Sequence, residues 1–192
     1  MLFQRIICIA LLALAAVVFA YSLSVITNVN ENFKSFYEVQ ADVELFEGAR
    51  IVYDMQGFVD RFITLAIWTI VVTVTLFISG TDKRRKYYVT NYISSAAVAA
   101  MNVAISVWAL TGLSGYRARY NEIDFEAFRA FLDSKTRYKD HYFKYSTFWF
   151  DAGYVVFGVL LALTVLLIAN VVWKIVLMQN EKKLLAEGGR SV

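Results

Sequence analysis

Cys8 and His141, the residues whose thiol and imidazole most often act as nucleophile, base or metal ligand, are each the single residue of their type in 192. A thiol needs a neighbouring base to become a working nucleophile. A zinc site needs three or four converging ligands. Neither residue has a cluster of carboxylates, histidines or cysteines beside it in sequence, and no paired acids suggest general acid–base work. The residue types therefore point away from an enzyme and from any metal or cofactor. Cys8 reads as a small apolar filler, with S-palmitoylation near a membrane interface as the alternative. A lone cysteine also forbids an intramolecular disulfide.

What remains are polar groups inside apolar surroundings. Asn102 and Asn170 each lie within a long uncharged run. In lipid such an amide is expected to hydrogen-bond to a neighbouring helix, contributing ~0.6–2 kcal/mol; lining a solute path is the alternative. Asp151 and Arg61 stand near the ends of two apolar runs and are a possible ion pair. Lys83, Arg84, Arg85 and Lys86 form a basic cluster, read first as a topology signal and second as an attraction for anionic lipid at about 1 kcal/mol per charge. The net charge of +3 is too small to suggest nucleic acid.

The elements that must hold these groups are membrane helices. Hydrophobic residues make up 59% of the chain and charged ones 18%, against about 25% charged in a soluble domain. The charges are crowded between four apolar runs: 6–27, 62–80, 93–115 and 148–178. About 20 apolar residues in a helix cross a bilayer. The whole chain, 1–192, is thus one all-α integral membrane domain, a bundle of four transmembrane helices. There is no proline, which favours unbroken helices over the interrupted ones of many transporters. For the first run a signal peptide is the rival reading, with Arg5 before it and Val18-Phe19-Ala20 as a cleavage motif. The apolar run continues through Leu23, Val25 and Ile26, which favours a retained helix.

Basic residues near helix ends set orientation. The 81–92 link holds the basic cluster, the 179–192 tail adds Lys182, Lys183 and Arg190, and Arg5 precedes the first helix. Both termini are therefore expected in the cytoplasm, with links 28–61 and 116–147 outside. Both outer links show helical spacing: Phe33, Phe36, Val39, Val43 and Phe46 in the first, then Ile51, Met55, Phe58 and Phe62 running into the second transmembrane helix. In the second link Asn121 or Asp124 caps a helix carrying Phe125, Phe128, Phe131 and Leu132. These aromatic stripes are expected to pack as a cap over the bundle, the alternative being a partner surface. Within the membrane, small residues should let helices approach closely: Ser95, Ala96, Ala99, Ala100 and Ala104 on the third, Gly158 and Ala162 on the fourth. The third helix is therefore expected at the centre of the bundle, the alternative being that its small-residue face pairs with another subunit.

In layout the chain resembles tetraspan proteins of the MARVEL and claudin types, with two long outer links and a short basic inner one. The resemblance is one of topology. The Trp-Gly-Leu-Trp and paired cysteines of claudins and the Cys-Cys-Gly of tetraspanins are missing. The expected function is non-enzymatic: organising a membrane domain, or serving as an accessory subunit through lipid, other membrane proteins or self-association. An oligomeric channel or small-solute transporter using Asn102 and Asn170 is the alternative.

Overall fold

The computed structural model describes residues 2–32, 51–81, 89–134 and 145–188. They form five helices: α1 (Leu2–Asn32), α2 (Ile51–Thr81), α3 (Val89–Asn121), α4 (Phe125–Ser134) and α5 (Phe148–Gly188). No strand occurs among the described residues. The physical reason is the solvent: lipid offers no partner for a backbone N–H or C=O, so a spanning segment must satisfy its own. Four helices carry apolar stretches long enough to cross, Phe3–Val25, Gly57–Ser79, Val89–Asn121 and Phe148–Leu185. The protein is an all-α integral membrane protein.

The helices outrun their apolar stretches. α2 begins at Ile51 because Ile51, Met55, Phe58 and Phe62 continue one buried stripe, as their spacing predicts. α5 is 41 residues long, about 60 Å, and must tilt or project from a hydrocarbon core about 30 Å thick. Its last described turns expose Leu184 and Leu185. The proposed helix at 31–47 (beyond Asn32), the 83–86 basic cluster and His141 lie outside the described residues.

The four long helices form a ring. α1 packs on α2, α2 on α3, α3 on α5 and α5 on α1. Helices α1 and α3 are diagonal, as are α2 and α5. Sequence neighbours run antiparallel, so residue 2, the end of α2 and the end of α5 share one end of the bundle. No helix is central, which corrects the expectation that the third one would be.

Each helix turns a three-four repeat of side chains inward. On α3 the buried residues are Asn91, Ser95, Val98, Asn102, Ile105, Ala109 and Leu113, with Ser106 alongside. On α5 they are Phe150, Gly153, Phe157, Leu160, Thr164, Leu167 and Asn170. This repeat gives knobs-into-holes packing of nearly parallel or antiparallel helices. It leaves most of the small-residue set outside the seam between these four helices. Ser95 is buried and Ala99 half-buried, but Ala96, Ala100, Ala104, Gly158 and Ala162 are exposed. A repeat of strict fours drifts off a seam that alternates threes and fours, and here it falls on the far side. The close approaches occur instead at Gly112 and Gly153. A Cβ on Gly112 would run into the Phe58 ring, and one on Gly153 into the Tyr21 hydroxyl and Leu113.

Beyond the end of α3 the chain turns sharply. Asp124 caps α4: its Oδ1 accepts from the Glu126 and Ala127 amides at 3.1 and 2.9 Å. Phe128 is fully buried, and Phe125 and Phe131 are partly so. Among the described residues the second link's aromatic stripe is thus packed inward. Tyr120 anchors it, with ring centroids 5.1 Å from Phe125, 5.5 Å from Tyr145 and 5.7 Å from Phe150. Asp124→Ala removes the acceptor of both amides at the helix start and should cost about 1 kcal/mol. Amide exchange should speed up in the first turn of α4 and stay unchanged in α3.

Candidate functional site

The inward seam carries polar side chains from all four long helices. α3 supplies Asn91, Ser95, Asn102 and Ser106; α1 adds Gln4 and Ser22; α2 adds Thr69, Thr73 and Ser79; α5 adds Thr164 and Asn170. Buried polar groups need partners, and many hydroxyls find one on their own helix. Thr69 donates to the Leu65 carbonyl, Thr73 to that of Thr69, and Ser79 to that of Leu76. Two side-chain bonds among these seam residues join helices. Near one end Gln4 Nε2 donates to Asn91 Oδ1 at 3.3 Å. At mid-bundle Asn102 Nδ2 donates to Thr164 Oγ1 at 3.1 Å, while Thr164 itself donates to the Leu160 carbonyl at 2.7 Å.

Those bonds leave a remainder. Asn102 Oδ1, Asn170 Nδ2, Ser95 Oγ and Ser106 Oγ are buried with no hydrogen-bond partner among the described residues. The antiparallel register in which Asn102 meets Thr164 and Leu113 nears Gly153 puts Ser95 level with Asn170. The two unpaired groups at that level belong to adjoining helices. Towards the opposite end the polar seam stops against rings. Tyr21 lies 5.8 Å from Phe62 and 6.1 Å from Phe157, both edge-on, and its hydroxyl donates to the Trp149 carbonyl at 2.6 Å. Phe58 stacks on Trp108 at 4.4 Å.

Charges gather at that aromatic end. The possible Arg61–Asp151 pair does not form. Arg61 is on α2 and Asp151 on α5, helices diagonal across the ring. Asp151 instead meets Arg117 of the adjoining α3 at 2.9 Å, and Arg119 meets Asp54 at 2.7 Å. Arg117 also lies 5.5 Å over the Tyr154 ring. These side chains are partly exposed, so each pair contributes at most about 1 kcal/mol. Arg61 borders an open groove of about 370 Å³ with Asp60, Thr64, Leu65 and Trp108.

Cys8 is fully buried in the core, the environment of a filler rather than of an accessible thiol. No three His, Cys, Asp or Glu side chains converge among the described residues.

The outward face of α3 was missed in part by sequence reasoning. Ala97, Ala100, Ala104, Val107, Thr111 and Ser114 are all exposed. Their three-four spacing makes a second seam on the side of the helix opposite the first. The outward faces of its neighbours are large by contrast: Ile67, Trp68, Val71 and Ile78 on α2, and Val155, Val165, Leu166, Val172 and Trp173 on α5. The spacing was readable from the sequence. Asn102 was the sequence signal for which of the two α3 seams faces the bundle. No family model, curated protein or solved structure matches the chain.

Proposed function

We propose that this chain is a non-enzymatic membrane protein that works through helix–helix contact in the bilayer, as an organiser of a membrane domain or an accessory subunit of a larger complex. The outward seam of α3 carries the reading. Lipid tails give no hydrophobic drive for helices to associate, so intramembrane contacts rely on small residues that permit close packing and on hydroxyl hydrogen bonds. Ala97, Ala100 and Ala104 offer the first, and Thr111 and Ser114 the second, on a face that the ring of four helices leaves uncovered. On this reading both termini lie in the cytoplasm, with the 83–86 cluster beside them.

Photocrosslinkers at positions 100 and 104, in native membrane, should capture protein, whereas one at Trp68 should capture lipid. Ala100→Leu should weaken the assembly roughly tenfold, the equivalent of 1.4 kcal/mol, without lowering the melting temperature of the isolated chain. Lipid adducts alone at 100 and 104 would exclude a helix partner there.

The buried polar seam favours a second reading, an oligomeric channel or small-solute transporter in which Asn102 and Asn170 contact the solute. Against it, the described seam holds no acid or base and ends on the Tyr21, Phe62 and Phe157 rings.

A further inference from the structure

We propose that the groove between α2 and α3 beside Asp60 and Arg61 binds one phospholipid with a primary-ammonium, zwitterionic headgroup. The inference does not depend on the partner seam of α3. It starts from two charges placed where charges are costly. The apolar stretch of α2 begins at Gly57, so Asp60 and Arg61 sit about 4–6 Å inside its start at 1.5 Å per residue. Both lie in the first turns of that stretch, at the end of the bundle that carries the Arg117–Asp151 and Arg119–Asp54 pairs. Both side chains are exposed, and successive residues on a helix do not face each other, so neither neutralises its neighbour. Among the described residues, the ion pairs at this end take Asp54, Arg117, Arg119 and Asp151 instead. The Thr64 hydroxyl donates to the Asp60 carbonyl at 3.2 Å, not to its carboxylate.

Asp60, Arg61 and Thr64 share the groove with Leu65 and Trp108, and its lining is overwhelmingly apolar. Trp108 is held by its stack on Phe58, which in turn fills the space that Gly112 leaves open. The groove therefore has a braced apolar floor, and one exposed acidic and one exposed basic residue, Asp60 and Arg61, border it. A guanidinium matches a phosphate with paired hydrogen bonds. A carboxylate matches an ammonium that can donate N–H bonds, which a trimethylated amine cannot. The two together are neutral, so a headgroup with net negative charge would meet Asp60 uncompensated. An acyl chain running from the phosphate toward the bilayer centre would lie along Leu65 and Trp108.

The test is native mass spectrometry of the full chain released from bilayers holding equal parts of phosphatidylethanolamine, phosphatidylcholine and phosphatidylglycerol. The wild type should retain one phosphatidylethanolamine, enriched several-fold over the other two. Arg61→Gln should lose that enrichment roughly tenfold, the scale of one charge-assisted hydrogen-bonded contact. Asp60→Asn leaves the groove's border with a net positive charge and should switch the retained lipid to phosphatidylglycerol. Both positions are exposed, so melting temperatures should stay at the wild-type value and the readout is not confounded by unfolding. Equal retention of phosphatidylcholine, a preference of the wild type for phosphatidylglycerol, or the same lipid pattern in all three proteins would overturn the proposal and leave annular lipid only.

Discussion

Gly153→Val should destabilise the bundle by ~2–4 kcal/mol, while Gly158→Val, five residues along the same helix, should leave stability unchanged. Position 153 is where three helices meet. A Cβ there would collide with the Tyr21 hydroxyl of α1 and lie 2.5 Å from Leu113 Cδ1 of α3. Tyr21 has nowhere to go. Its hydroxyl is bonded to the Trp149 carbonyl at 2.6 Å and its ring is wedged between Phe62 and Phe157. Overpacking of this kind costs typically 1–3 kcal/mol. Displacing the tyrosine also breaks an intramembrane hydrogen bond worth ~0.6–2 kcal/mol. Around Gly158 there is nothing within 4 Å, so a valine there meets only lipid. The measurement is resistance to denaturation in mixed micelles, with Tyr21→Phe as a third variant that removes the bond and keeps the ring. Wild-type stability of Gly153→Val would mean that α1 and α5 do not pack at this level.

The pair of glycines shows where sequence reading succeeds in this chain and where it stops. The four spanning helices were legible because lipid admits so few backbone solutions. The α4 helix was legible because Asp124 and the phenylalanine spacing are local signals, and the structure chose Asp124 over Asn121 as the cap. Faces were harder. In water, polar residues mark the outside of a helix, but in a bilayer both lipid and the neighbouring helix are apolar, so hydropathy no longer separates in from out. The strict-four repeat Ala96-Ala100-Ala104 and the pair Gly158 and Ala162 looked like packing motifs, and they face outward. The better guide was the polar set. Asn91, Ser95 and Asn102 repeat at four and seven, and all three are buried, because an amide or hydroxyl exposed to lipid would lack a partner. Pairing failed for a different reason. That Asp151 meets Arg117 and not Arg61 depends on which helices are diagonal, and no local pattern encodes the order of a ring.

The same polar seam separates the two functional readings, and Asn102→Asp is the substitution that does so. Aspartate keeps the shape of asparagine while exchanging a donor amide for a carboxylate. Asn102 is 1% exposed, at the middle of α3. Its one bond is donated to Thr164, whose own proton already goes to the Leu160 carbonyl. A carboxylate at 102 therefore has no donor waiting for it on Thr164. If the seam is a dry contact between helices, the change should cost ~2.5–3.5 kcal/mol, the penalty for an aspartate at the centre of a spanning helix. Asn102→Leu should then cost less, about 1–2 kcal/mol, since it removes a hydrogen bond without introducing a charge. Neither variant should pass ions. If Asn102 faces a watered path, the carboxylate is solvated, Asn102→Asp is nearly as stable as the wild type, and cation flux rises in proteoliposomes because a fixed negative charge now lines the route. We expect the first outcome: the lower-melting protein is Asn102→Asp and flux stays at background. A stable, cation-conducting Asn102→Asp would instead make the seam a conduit and move the accessory-subunit reading to second place.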